Sequence, residues 1–130
     1  MSLDDPTQLP RAFAQAWGAR DARALAEFFA EDADFLSLTG GLAEGRAQIA
    51  ELLAGELAGA FARARLVTGK TRLRPVGPEA SVLTQRFVLT GIVHADGSDA
   101  GRIGAILAAT MGLGATGWEI VSAQFVVEAG

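Results

Sequence analysis

The sequence of 130 residues has no cysteine and no tyrosine, one histidine (His94) and one lysine (Lys70). Without cysteine there is no disulfide, no thiol nucleophile and no thiolate metal site. One histidine excludes a multi-histidine zinc or iron centre, and Schiff-base chemistry would rest on Lys70 alone. We therefore expect no metal and no redox cofactor, and any catalysis would use carboxylate, arginine, hydroxyl or amide side chains.

Basic residues are also in the minority, at 11 Lys and Arg against 15 Asp and Glu, for a net charge of −4. Such a chain lacks the basic field that nucleic acids and anionic membranes require, so neither is expected as a partner. With 50% hydrophobic residues, the length predicts one globular domain over residues 1–130. The sequence shows no signal-peptide pattern and no apolar run long enough to span a membrane, so a cytoplasmic protein is expected.

Apolar residues at helical spacing predict three helices in the first half of the chain. Asp21 is the predicted N-cap of the second helix, and the third follows Gly45. The predicted apolar stripes are Leu9, Phe13, Ala16 and Trp17; Leu25, Phe28 and Phe29; and Ile49, Leu52, Leu53, Leu57 and Phe61. A short strand is predicted over residues 32–38, between the second and third helices.

Alternating residues predict four long strands in the second half, over residues 64–76, 81–93, 102–111 and 118–127. A hairpin turn is predicted at His94-Ala95-Asp96-Gly97 from its Asp-Gly pair. Helices followed by antiparallel strands indicate an α+β fold. We expect three N-terminal helices packed on one face of a strongly curved, mostly antiparallel sheet.

Three segments, FAQAWGARDARALAEFFAEDADFLSLTGG, EGRAQI and the terminal GWEIVSAQF, together resemble a known family. Over residues 9–127 they resemble the SnoaL-like branch of the nuclear transport factor two-like superfamily, and within it the SgcJ/EcaC-type group. The resemblance implies a cystatin-like cone with an internal pocket, and a homodimer formed through the sheet. Because this fold hosts isomerases, cyclases, hydrolases and non-enzymatic binding domains, the resemblance alone does not decide the function.

The resemblance also shows which catalytic groups are missing. Ketosteroid isomerases of this superfamily use a tyrosine and two acids, and the resemblance places Phe13 and Ser37 at the tyrosine and base positions. The second acid falls near residues 108–110, where no acid occurs. Arg86 is followed by Phe87 and Val88, so the Asp-Arg-Asp arrangement of epoxide hydrolases with this fold is absent as well. The usual carboxylate base is therefore lacking.

Strand alternation predicts which side chains face the pocket. The predicted inner-face residues are Phe35 and Ser37; Thr84, Arg86, Val88 and Thr90; and Trp118, Ile120, Ser122 and Gln124. The predicted substrate-binding set is Phe13, Trp17, Phe35, Ser37, Thr84, Arg86, Val88, Ser122 and Gln124. Such a mostly apolar lining with a few polar groups is typical of a small-molecule site.

Arg86, Gln124 and Ser37 are the candidate catalytic residues of this set. A buried guanidinium needs a counter-ion, so Arg86 would clamp an anionic group of a ligand. Alternatively Arg86 forms a salt bridge to Glu119 or Asp34, or contacts a dimer partner. The basic segment Arg63, Arg65, Lys70, Arg72 and Arg74 is predicted to be a solvated or dimer-facing strand, and the acidic group Glu31, Asp32 and Asp34 a solvated turn.

Three functions remain open from the sequence, of which the third is a protein-interaction module that uses the outer sheet face and needs an apolar surface patch beyond the dimer contact. The first is binding of a small hydrophobic or anionic metabolite in the cone, with isomerase or cyclase chemistry. The alternative is a non-catalytic ligand-binding or dimerisation domain. A pocket that holds an unpaired Arg86 would support the first function, whereas a cone filled by Phe13, Trp17 and Phe35 would support a structural role.

Overall fold

Three helices pack on one face of a six-stranded sheet. The computed structural model describes residues 3–128. The helices are α1 (Leu9–Gly18), α2 (Ala22–Glu27) and α3 (Arg46–Ala58), and the strands are β1 (Phe29–Leu36), β2 (Leu42–Glu44), β3 (Arg65–Pro75), β4 (Ala80–Thr90), β5 (Ile103–Gly114) and β6 (Gly117–Val127). The strand order is β2-β1-β6-β5-β4-β3, with only β1 and β6 parallel. This curved, mostly antiparallel sheet confirms the predicted fold class.

The helix signals of the sequence correspond to real contacts. Leu9, Phe13 and Trp17 of α1 are fully buried against the sheet. Asp21 directly precedes α2, and its carboxylate accepts a hydrogen bond from the Ala24 amide at 3.0 Å. This bond satisfies one of the free amides that every helix N-terminus exposes, so the predicted N-cap is confirmed.

The predicted boundary between α2 and the first strand was wrong. The helix ends at Glu27, and Phe29 begins β1 instead of continuing the helix. The reason is tertiary: Phe29 pairs with Ile120 of β6, and the Ile120 amide donates to the Phe28 carbonyl at 2.8 Å. The short strand β2, which pairs antiparallel with β1, was not predicted.

Apart from a register shift between Phe29 and Asp34, where β1 pairs with β6, two irregularities in the ladders decide which side chains face the helices. One lies in β3 between Thr68 and Thr71, and the other lies in β6, where Val121 separates Ile120 from Ser122. In a regular strand, residues two positions apart lie on the same face of the sheet. When the residue between them is an insertion, the two flanking residues lie on opposite faces. The second irregularity therefore reverses the alternation along β6.

Gln85 fills the first irregularity with hydrogen bonds. It is fully buried, and its Nε2 donates to the carbonyl oxygens of Gly69 at 3.1 Å and of Arg86 at 2.8 Å. Its Oε1 accepts from the hydroxyl of Thr71. The amide thereby supplies the partners that the interrupted ladder would otherwise leave unsatisfied.

We expect Gln85→Leu to lower the free energy of unfolding by about 1–3 kcal/mol, because polar groups would be buried without partners. Gln15→Leu, an exposed glutamine of α1, is the matched control and should change it by no more than about 0.5 kcal/mol. Urea denaturation of both variants measures the difference. Equal effects would show that the Gln85 hydrogen bonds contribute nothing to stability.

Among residues 3–128, none of the helices has the length and apolarity needed to cross a bilayer. The cytoplasmic location expected from the sequence stays a prediction.

Candidate functional site

Aromatic rings occupy the interior of the cone, between the helices and the sheet. Phe13 stacks on Trp17 and Phe87, with ring centroids 6.4 and 6.2 Å apart. Phe125 lies 6.0 to 6.4 Å from four rings, those of Phe13, Trp17, Phe35 and Phe87. Close-packed aromatic residues of this kind form a dense core.

Three residues of the predicted ligand-binding set belong to this core. Phe13, Trp17 and Phe35 have no accessible surface at all. A side chain that lined a ligand cavity would keep some surface exposed to that cavity, so none of the three lines one. Because these three side chains fill the interior of the cone, their burial favours a structural role.

The face assignment of β4 was wrong. Its core-facing residues, all buried, are Ser81, Leu83, Gln85, Phe87 and Leu89. The predicted pocket residues Thr84, Arg86, Val88 and Thr90 lie on the opposite, outer face. A shift of one residue reverses every side chain of a strand, because side chains alternate with period two.

Arg86 lies outside the cone and is paired with a carboxylate. Half of its side chain is exposed, and its Nε donates to Oε1 of Glu128 at 2.5 Å. This hydrogen bond and the charge of Glu128 raise the pKa of Arg86 above its ordinary value. The salt-bridge alternative was right, but its suggested partners were wrong: Glu119 lies 4.0 Å from Arg46, and Asp34 accepts from the Ser122 hydroxyl.

The last strand is divided between the two faces. Ile120 is buried, whereas Ser122 and Gln124, beyond the irregularity at Val121, lie on the outer face with Asp34 and Leu36 of β1. The predicted common inner face of β6 was therefore wrong. Gln124 is exposed and cannot act together with Ser37, which is buried on the helix side.

A buried carboxylate that the sequence analysis did not single out lies close to Ser37. Glu56 of α3 accepts from the Thr39 hydroxyl at 2.5 Å, and Thr39 lies 3.2 Å from the Ser37 hydroxyl. Ser37 in turn accepts from the Gly41 amide at 3.2 Å. The network fastens the turn after β1 to α3. Its sequence signal was a carboxylate within the apolar stripe that runs from Ile49 to Leu57.

The other candidate residues lie together on the outer face of the sheet. Thr84, Ala108 and Gln124 pair across β4, β5 and β6 in one row. Beside them is a shallow depression of about 250 Å³, lined by Val82, Ala108, Ala109, Thr110, Ser122, Ala123 and Gln124. The nine predicted residues therefore form two groups on opposite faces of the sheet, not one site.

The acidic residues at the start of β1 do not combine into a metal site. Within the part of the chain that the structure describes, no group of three His, Asp or Glu side chains could hold a metal ion. Glu31, Asp32 and Asp34 are exposed along β1, so the prediction of a turn was wrong, while that of solvent exposure is confirmed.

Most of the chain is similar to a known family of domains. A model of the SnoaL-like domain matches residues 11–102. No curated protein matches the sequence significantly.

Solved structures of the same fold cover nearly the whole chain. An uncharacterised protein with a cystatin-like fold from Caulobacter vibrioides has a TM-score of 0.84 at 19% identity, over 95% of this chain and 87% of that one. LinA has a TM-score of 0.83 at 17% identity, over 95% and 83%. The putative calcium/calmodulin dependent protein kinase II association domain from Xanthomonas campestris has a TM-score of 0.78 at 15% identity, over 94% and 84%. At such identities these likenesses show the fold alone.

Proposed function

The chain belongs to the SnoaL-like domain family, and from that premise we propose that it is a non-catalytic dimerisation domain that associates through the outer face of its sheet. Proteins with this fold form a superfamily that includes ligand-binding and isomerase-type members. Of the residues predicted to line the cone, Phe13, Trp17 and Phe35 are core in this chain, and the candidate cation Arg86 is paired outside the cone. The narrower SgcJ/EcaC assignment stays a prediction.

The outer side of β5 is the observation that carries the proposal. Its residues there are Gly104, Ile106, Ala108, Thr110 and Gly112, paired with outward residues of β4 and β6. None of the five is charged, although β5 lies near the middle of the sheet. A sheet face that meets only water usually alternates buried apolar with exposed polar residues, so this uncharged strand favours contact with another surface. The charges closest to it, those of Arg86 and Glu128 beside Ile106 and Gly104, are already paired with each other.

Exposed aliphatic residues extend the uncharged surface of β5 towards the neighbouring strands. Val67 of β3 pairs with Val88 of β4, and Val126 of β6 pairs with Ile106 of β5. Val67 is 52% exposed and Val126 is 50% exposed. Six strands spaced about 4.8 Å apart form a face roughly 24 Å wide, a suitable width for an interface of about 800 Å² per partner. The neighbour named as an association domain has the same fold.

We expect Ala108→Lys to weaken dimerisation at least about 100-fold, because it would bury an unpaired ammonium at the centre of the interface. Sedimentation equilibrium of the wild type and the variant measures the dimer dissociation constant. Ala54→Lys, an exposed position of α3 on the helix side, is the matched control and should dimerise like the wild type.

Two results would contradict this proposal. A wild-type chain that stays monomeric at 1 mM would exclude dimerisation as its function (~1 mM corresponds to about 4 kcal/mol of binding). Equal dissociation constants for the two lysine variants would place the interface elsewhere. Circular dichroism on Ala108→Lys separates a lost interface from a lost fold, since the proposal expects native secondary structure in the monomer.

A second candidate, binding of a small neutral molecule near Ser37, is favoured by the burial of Glu56. A carboxylate connected to two hydroxyls can accept or relay a proton from a ligand. If that function holds, cyclic ketones or phenols at millimolar concentration should raise the melting temperature of the wild type but not of Glu56→Gln. Glu51→Gln, exposed on the same helix, is the control and should respond like the wild type. No shift in the wild type would leave the network with its structural role only.

A further inference from the structure

One row of paired residues crosses all six strands on the outer face. Its members, from one edge of the sheet to the other, are Arg74, Val82, Thr110, Ser122, Asp34 and Glu44. Laterally paired residues point to the same side of a sheet, and the hydrogen bond from the Ser122 hydroxyl to Asp34 confirms this for β6 and β1. The row is positive at its β3 end, uncharged in its middle and negative at its β1–β2 end.

The adjacent row on the outer face also has an arginine at its β3 end. Arg72 pairs with Thr84, and the row continues through Ala108, Gln124 and Leu36 to Leu42. Arg72 and Arg74 are exposed, and among residues 3–128 neither has a carboxylate within 4.0 Å. The β3 edge therefore presents two cations without a counter-ion, while Asp34 and Glu44 present two anions at the opposite edge.

We propose that a second copy of the chain supplies these counter-ions: around a two-fold axis that runs along the strands, Arg74 of each protomer lies over Glu44 of its partner. Arg72 and Asp34 occupy adjoining positions at the same two edges. This inference rests on the proposed dimer and specifies its geometry. A two-fold axis parallel to the strands, between β5 and β6, exchanges the two edges of the sheet. The basic edge of one protomer then faces the acidic edge of the other.

The charges decide between two otherwise similar arrangements. Where two sheets pack in the aligned way, their strands keep within about 30° of a common direction, so in such a dimer the axis runs either roughly along or roughly across the strands. An axis across the strands would place β3 over β3, with arginine facing arginine. Charges that lie within a Debye length of about 8 Å interact appreciably, so the edges favour the axis along the strands.

The test compares two double charge reversals that change the net charge equally. In R72E/R74E both protomers carry glutamates at the edge that faces Asp34 and Glu44 of the partner, and we expect the dimer dissociation constant to rise at least tenfold. R11E/R23E reverses two exposed arginines on the helices, away from the sheet, and should leave the constant within about threefold of the wild type. Sedimentation equilibrium at 50 mM salt, where surface charges are weakly screened, measures both.

A charge exchange and a salt series complete the test. R74E alone should weaken the dimer, and R74E/E44K should restore it, because the exchanged pair attracts again. Raising salt from 50 to 500 mM should weaken the wild-type dimer by reducing this attraction.

Results that contradict the charge pairing differ from those that contradict the dimer itself. A stable wild-type dimer that responds alike to R72E/R74E and R11E/R23E, or that tightens in salt, keeps the dimer and refutes the pairing. A wild-type monomer refutes the dimer itself. A monomer that binds heparin through Arg72 and Arg74 would assign the basic strand to an anionic polymer instead.

Discussion

Phe125→Ala is expected to lower the free energy of unfolding by about 3–5 kcal/mol, a large part of the 5–15 kcal/mol that holds a typical domain together. The Phe125 ring lies within 6.4 Å of four other aromatic rings and joins β6 to α1, β1 and β4. Removing it deletes the ring's contacts and leaves a cavity that its neighbours cannot fill by small movements. Chemical denaturation monitored by Trp fluorescence measures the loss.

A filled cone predicts different results for Phe125→Ala, for a control variant on the same strand and for the wild type. Val127→Ala removes methyl groups at a position that is half exposed, two residues along the same strand, and should cost less than about 1 kcal/mol. Phe125→Ala should also gain binding of benzene, since an apolar cavity of this kind stays dry and accepts small aromatic molecules. A wild type that already binds benzene, with little destabilisation in the variant, would show that the cone is hollow.

The sequence predicted the fold well because its helix signals were local. The stripe of Leu9, Phe13 and Trp17 and the cap at Asp21 depend on residues within a few positions of each other, and the structure confirms both. The end of α2 could not be read in the same way. Phe28 and Phe29 continue a helical pattern, and only the distant partner Ile120 draws them into the sheet.

The candidate site failed because strand faces depend on contacts that a single sequence does not display. Both faces of β4 carry aliphatic residues, and each has one long polar side chain, Gln85 or Arg86, at its centre. A charged arginine among apolar residues suggested a buried functional group, yet the neutral amide is the buried one. Burial of Gln85 is favourable only because the irregularity in β3 leaves the Gly69 carbonyl without a strand partner.

The faces of β6 also depend on contacts that the sequence does not display. Ile120 and Ser122 are two positions apart and were assigned to one face, which ordinary alternation supports. The extra residue Val121 places them on opposite faces. Nothing in the segment EIVSAQ marks that insertion, because it is fixed by pairing with β5 and β1. A single inserted residue thereby moved Ser122 and Gln124 from a supposed pocket to the proposed dimer surface.

Gly91→Ala is expected to destabilise the protein as severely as the loss of a core ring. Gly91 follows β4 with φ +78°, and a Cβ there would lie closer than 3.0 Å to the Arg63 carbonyl oxygen. This obstacle is backbone, so no side-chain rotation relieves it. The adjoining Ala64 carbonyl accepts from Nε1 of Trp17 at 3.0 Å and from Arg20, so moving the segment would disrupt the bonds that cover the core. We expect a loss of more than about 3 kcal/mol.

Gly97→Ala separates the two causes of that loss. Gly97 has nearly the same backbone angle, φ +87°, but a Cβ there meets nothing within 4 Å. Its substitution carries the left-handed strain alone, which costs about 1–2 kcal/mol. Urea denaturation of both variants, with near-ultraviolet dichroism as a signal of tertiary packing, should show the larger effect only for Gly91. Equal losses would mean that the segment beside Ala64 moves aside freely, and that close approach of the backbone at Gly91 does not hold the cone closed over Trp17.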